Sequence, residues 1–276
     1  MNLPKLTSKQ KEIINLLYKY RFLNRIQIQT LMGHKDYKTI NVWLKDLRAN
    51  HYVEWIYSTD FAERTKPAIY YLGLNGIRLL KTFDSHEIEE LRKRYRESSR
   101  SQTYIDRCLL LADCCITLEK TRIKHETKES WYFYETEADY MEESYYHFLT
   151  DSELIHPHLC YSKQKNESGN EVTVHSYLLE IFDATLPRYR IKKRLSNYVE
   201  YLEDSEWDGE TDDDNPPIIL FICPRMTDLI YAKRRTRGLV ANIWERDEED
   251  RPHIRFTTAE KLREFGVTAE EIWEEA

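Results

Sequence analysis

No run of apolar residues in this chain approaches the length of a membrane-spanning helix, and the N-terminus lacks a signal-peptide pattern. Both absences argue against a membrane partner. Cysteine is sparse and unpatterned: Cys108, Cys114, Cys115, Cys160 and Cys223 are odd in number, with no CxxC spacing. That usage reads as reduced, mostly buried thiols and leads to the expectation of a cytoplasmic protein. Clustered metal ligands are equally scarce. His156, His158 and Cys160 come nearest, and alternate residues on a strand face are more often packing, so no metal or other cofactor is expected.

What is present is uneven. The 276 residues suffice for two cores, and the formal net charge of -7 conceals a division. Residues 1–82 carry 14 Lys/Arg against 6 Asp/Glu, while the remainder carries 27 against 42. A basic N-terminal third on an acidic protein suggests one end made for polyanions and another made for something else.

The basic third has a readable order. Thr7 with Gln10, and Asn24 with Gln27, are capping-box pairs that open two helices. Ile13, Ile14, Leu17 and Tyr20 form the buried stripe of the first; Leu23 and Ile28 are placed to staple the second. Gly33 fits the left-handed residue that stops it. Asp36 then caps a third helix through Asn50, with Ile40, Trp43, Leu44 and Leu47 on its apolar side.

The opposite side of that helix carries Lys38, Asn41, Lys45 and Arg48. Cations that bind phosphates, with an amide able to read adenine, suit a helix lying in a major groove. An ordinary solvated face would look similar taken alone. The context favours the groove: two aromatic, β-branched runs (52–57 and 68–72) follow, separated by a polar tip with Arg64 and Lys66, and a closing helix starts near Gly73. Three helices, a two-stranded wing and a fourth helix define a winged helix-turn-helix. Lys35, Tyr37, Arg64 and Lys66 are its expected phosphate or wing contacts, and double-stranded DNA its expected partner.

The expected organisation is a winged-helix domain over 1–83, a charged linker helix over 84–102, and a mixed α/β domain over 103–276, for an α+β protein as a whole. In the last part, helices are expected at 104–119, 186–203 and 226–237. Strands are expected at 131–135, 154–161, 172–182, 218–223, 239–244 and 253–257, with a polar turn at 162–171. Residues 203–215 read as an acidic loop, Thr258 as a helix cap, and Thr268 with Glu271 as a capping box.

The chain resembles the replication-relaxation family of plasmid and mobile-element proteins. The resemblance is carried by LTSKQKEIINLLYKYRFLNRIQIQTLM, YYLGLNGIRLL, YLLEIFDAT with the basic helix ending NYVEYL, IILFICP and RFTTAEKL. It implies a winged helix joined to a domain similar to restriction-endonuclease folds, in a DNA-handling protein of bacterial plasmid replication or relaxation.

That fold cuts DNA with an acid on one strand, then an acid and a lysine two apart on the next, holding magnesium and an activated water. Here the first position falls on His158, the second on Glu180, and the lysine position on Phe182; Asp183 is the only further acid nearby. Lys163, Lys192 or His175 could substitute for the missing cation. The expectation is therefore a DNA-binding accessory or regulatory protein rather than an enzyme, whose acidic domain serves protein interaction or self-association. The alternatives are a metal-dependent nuclease or nickase using Glu180, Asp183 and His158, and a protein-interaction scaffold.

Overall fold

A computed structural model of the chain describes residues 5–58, 65–83, 88–124, 130–140, 154–167, 170–204, 216–243 and 252–276. It divides into two compact units, one containing Met1–Ile116 and the other Thr117–Tyr140 with Ser144–Ala276.

The first unit begins as its caps dictate. Helix α1 (Ser8–Tyr20) starts at Thr7, and α2 (Arg25–Leu31) at Asn24; in each, the third helical residue, Gln10 or Gln27, completes the reciprocal box. Gly33 takes φ 59°, the left-handed position expected of it. The Asp36 carboxylate then accepts from the Lys38 and Thr39 amides and starts α3 (Tyr37–Ala49). Ile13, Ile14, Leu17, Ile28, Ile40 and Leu47 of these helices are all fully buried. At roughly 1.5–3 kcal/mol for each side chain of this kind, their shared burial outweighs any single cap.

Two strands follow, β2 (Val53–Ile56) and β3 (Ile69–Leu72), paired antiparallel with Val53 opposite Leu72. A two-residue strand β1 (Leu23–Asn24) joins the far side of β3, giving the order β1-β3-β2. Helix α4 (Leu74–Leu80) docks closely on the end of β2, where a Cβ on Gly76 would stand 2.3 Å from the Tyr52 carbonyl oxygen. Only glycine fits there.

Residues 88–102, within the stretch 84–102 expected as a charged linker helix, belong to this unit. Helix α5 (Ile88–Arg94) and a 3-10 turn (Glu97–Ser99) lead into α6 (Gln102–Lys124), and several of their charges turn inward. Glu97 is 1% exposed. Its carboxylate lies 2.7 Å from Arg21, 3.9 Å from Arg94 and 3.5 Å from Arg100. Arg94, itself buried, also donates to the Tyr18 carbonyl at 3.1 Å. The Tyr104 ring is contacted by Arg21, Arg100 and Arg107 at 4.9, 4.8 and 4.7 Å. Burial pushes the Tyr104 phenol up to about 12, so the cations face a neutral ring. Phe22 packs with Ile105 and Cys108 of α6, and the Gln27 amide donates to the Leu109 carbonyl and the Asp113 carboxylate. Sequence periodicity missed this because the partners lie some 80 positions apart.

The second unit is a six-stranded mixed sheet, in the order β4-β5-β6-β7-β8-β9. Its strands are β4 (Ser130–Thr136), β5 (Leu159–Glu167), β6 (Asn170–Ile181), β7 (Ile218–Cys223), β8 (Ile254–Thr258) and β9 (Glu274–Glu275). The three central strands β6, β7 and β8 run parallel; β4, β5 and β9 are antiparallel to their neighbours. A short helix α7 (Glu137–Tyr140) follows β4. Helix α8 (Arg188–Asp204) connects β6 to β7, and α9 (Met226–Ile243) connects β7 to β8. Both helices pack on one face of the sheet, where Leu178, Phe182, Ile219, Phe221, Cys223 and Phe256 meet Ile191, Leu195, Tyr198, Leu229 and Ala232. The rings of Phe182, Phe221 and Phe256 stack in sequence at 5.0 and 5.3 Å. Helix α10 (Ala259–Phe265), capped by Thr258 as expected, follows β8.

Three local expectations fail. The polar stretch from Ser162 is strand, not turn, since β5 continues to Glu167 by pairing on both sides; Gly169 lies outside the described residues. Residues 239–243 continue helix α9 instead of forming a strand, because Leu239 and Val240 find their apolar partners in the same cluster as α8. Thr268 caps nothing: the final turn is a 3-10 helix (Glu270–Ile272) preceded by Ala269. Residues 205–215, most of the acidic loop, lie outside the description.

All five cysteines are free and buried. Burial pushes the Cys108 thiol up to about 11 and the Cys223 thiol up to about 12, which removes the nucleophilic thiolate. No helix among the described residues is long and apolar enough to cross a membrane.

Candidate nucleic-acid interface

Helix α3 divides as its sequence requires. Ile40, Leu44 and Leu47 face the core, while Lys38, Asn41 and Lys45 stand exposed on the other side. Between them Val42 is 64% exposed, an apolar side chain turned to solvent. Sequence reading passed over it because the search there was for charge, yet a branched methyl pair is suited to a thymine methyl. Asp46, the acid on this helix, is turned aside by the Gln10 amide, which donates to it. Hydrogen bonds from the Thr39 hydroxyl and the Lys38 amide hold the Asp36 carboxyl below the usual carboxylate range, so the cap stays charged.

Arg48 departs from expectation. It is half-buried, its guanidinium 3.7 Å above the ring of Trp55 on β2, and Trp55 in turn stacks on Tyr57 at 5.4 Å. Trp55 and Tyr57 are themselves 41% and 45% exposed. The arginine therefore joins helix to wing through a cation–π contact, leaving the outward face to the lysines. Arg25, not singled out from sequence, sits 5.5 Å over the Tyr37 ring at the start of α3. Lys35, Tyr37 and Lys66 are exposed, and Arg64 lies outside the described residues. Lys35, Tyr37, Lys38, Asn41 and Lys45 thus share one helix and its approach, with an aromatic strand pair beside them.

The nuclease candidates of the second unit meet at the end of β6 but are otherwise engaged. Glu180 is buried and ion-paired with Arg194 of α8. Phe182 is core. His158 precedes β5, and its Nδ1 accepts from the Ile181 amide at 3.2 Å. Asp183 accepts from both the amide and the hydroxyl of Thr185, at 2.8 and 2.7 Å. His175 stands across from Lys163 in the β5–β6 pair; burial, then the Lys163 charge, push its imidazole down. His156 and His158 lie ahead of the strand that carries Cys160, so those three do not share a strand face. Among the described residues no three His, Cys, Asp or Glu side chains come together as metal ligands.

A three-helix head with a two-stranded wing, followed by a mixed-sheet unit, makes this a winged-helix protein of two parts. The chain belongs to the replication-relaxation family, whose model matches residues 14–213. No curated protein matches it. Among solved structures it is similar to MepR of Staphylococcus aureus, a transcription regulator of the multidrug efflux pump MepA, at 16% identity over 44% of this chain and 82% of that one, with a TM-score of 0.26. ZitR of Lactococcus lactis, a zinc-responsive MarR family member, matches at 16% identity over 46% of this chain and 80% of that one, TM-score 0.26. A mutant MarR from E. coli complexed with operator DNA matches at 14% over 44% and 76%, TM-score 0.25. Likenesses this distant add nothing to the geometry described above.

Proposed function

We propose that this protein binds duplex DNA through its winged helix, as an accessory or regulatory factor in the replication, relaxation or transcription control of a plasmid or other mobile element, and acts in the cytoplasm. The observation that carries the reading is the outer face of α3, where Lys38, Asn41 and Lys45 are exposed around Val42 and Asp46 is engaged by the Gln10 amide. Lysines would neutralise phosphates, Asn41 would pair with an adenine edge, and Lys35, Tyr37, Arg64 and Lys66 would hold the backbone to either side. The family membership supports the same class. Binding-site selection with the full chain tests it: a duplex sequence is enriched, and its affinity falls steeply with salt as counterions return to the phosphates. Recovery of no sequence, together with salt-independent binding, would refute it.

The second unit, on this reading, is a restriction-endonuclease-like fold that has lost its chemistry and serves protein interaction or self-association. Glu180 is committed to Arg194, His158 to a backbone amide, and the cation position to a core phenylalanine, so these residues do not fit a magnesium site. Loss of one positioned acid–base group costs about a hundred- to ten-thousand-fold in rate, before any lost metal ligand. Supercoiled DNA incubated with the protein and magnesium or manganese should stay intact. Nicking by the natural chain that vanishes in Glu180→Ala would show the unit to be an enzyme.

A further inference from the structure

The second unit, acidic as a whole, carries one strongly basic face that the function above does not use. In the first two turns of α8, Arg188, Arg190, Lys192 and Lys193 are exposed, and no acid stands in the first turn. Helix α9, packed alongside, adds exposed Arg234 and Arg235. Tyr231 ties the two helices together: its ring lies 5.0 Å from the Arg188 guanidinium and 5.4 Å from that of Arg235, and its hydroxyl donates to the Arg188 carbonyl at 3.3 Å. Tyr189, at the centre of the cations on α8, is 68% exposed.

This arrangement is costly in isolation. Cations at the start of a helix oppose its dipole, and six like charges on two adjacent helices repel one another. Five other basic residues of the unit are balanced: Arg194 by Glu180, Arg225 by Asp228, Lys233 and Lys261 by Glu274, Arg255 by Glu270 and Glu275. Among the described residues, none of the six makes such a pair. A surface that concentrates its cations and surrounds an exposed tyrosine with them matches a phosphate backbone: guanidinium and ammonium groups for the oxygens, the ring for a sugar or base face.

We propose that the α8–α9 face is a second DNA-binding surface, which grips the phosphate backbone of duplex DNA without reading its sequence. The inference rests on the reading of the chain as a duplex-binding protein, and assigns the second unit a direct share in that binding.

The test uses the full chain in four forms: natural, Lys38→Glu with Lys45→Glu, a triple variant (Lys192→Glu, Lys193→Glu, Arg234→Glu), and all five substitutions together. All five positions are exposed, and Arg188 and Arg235 are left to hold Tyr231; circular dichroism and thermal melting confirm folding. Affinity for duplexes of increasing length, of selected and of random sequence, is measured against salt. The triple variant should lose about 2.7 from the slope of log affinity against log salt on longer duplexes, 0.9 for each of three phosphate contacts. The loss should be equal on selected and random DNA. The α3 double variant should keep a salt-dependent residue of binding that the five-fold variant lacks. A folded triple variant with natural affinity and slope at every length overturns the proposal. So does a loss confined to RNA, which would assign the face to a different partner, and so does failure of the natural chain to bind duplex at all. If instead the α3 variant binds like the natural chain while the triple variant does not, the winged-helix reading falls and this one stands.

Discussion

Lys38→Glu combined with Lys45→Glu will weaken duplex binding by roughly a hundredfold or more at about 0.1 M salt, on selected sequence, with no loss of stability. Each phosphate contact contributes about 0.9 to the slope of log affinity against log salt, so two lost contacts are worth nearly two decades between 1 M and 0.1 M. Reversal of charge adds repulsion to that loss. Both side chains are exposed, and neither makes a contact that holds α3 in place, so melting should be unchanged. Arg48 is a poorer choice for this experiment, since its stacking on Trp55 mixes a packing loss with a charge loss. Titration by fluorescence anisotropy checks the expectation. Natural affinity in a folded double variant would remove α3 from the interface.

The largest expected effect on stability belongs to a different glutamate. Glu97→Gln will destabilise the first unit by about 3–5 kcal/mol, because it removes a charge that Arg21 and Arg94 share in a buried place and leaves Arg94 with Glu90 alone, at 3.6 Å. Burial and the Arg21 charge already press Arg94 below its ordinary range, so the cation has no slack to give. At a urea slope of about 2 kcal/mol per molar, the midpoint should fall by roughly 2 M. Glu89→Gln is the control: its pair with Arg92 is exposed on both sides, and exposed pairs contribute about 0–1 kcal/mol. Similar midpoints for the two variants would mean that the buried cluster contributes no more than a surface ion pair.

The same contrast shows which parts of the molecule could be read from sequence. The capping boxes at Thr7 and Asn24, the left-handed Gly33 and the alternation of the wing strands are local patterns, each complete within a few residues, and they were legible. The exposed face of α3 was legible for the same reason. Arg48, Arg21 and Glu97 were not, because what each does depends on a ring or an ion brought from another element: Trp55, Tyr104, and the arginines that follow α1 and end α5. Their charge suggested solvent, and the fold turned them inward. The continuation of α9 through Gly238 failed for a related reason. Residues 239–244 have strand-like composition, and the apolar cluster shared with α8 selects helix through Ile243.

The parallel centre of the second sheet has a consequence for the nascent chain. Tyr177 of β6 pairs with Ile218, and Phe221 of β7 with Phe256, so each central strand must wait for a whole helix to be synthesised before its neighbour exists. Such non-local parallel pairing is slow, while the stretch through Ile116 has already left the ribosome with its local contacts available. During that interval the β5–β6 hairpin carries an open edge, with Leu178, Leu179 and Ile181 facing no partner strand. An unfinished edge of this kind pairs readily with another chain. Rapid overproduction at high temperature will therefore aggregate this protein through β6, in molecules whose winged helix is already folded.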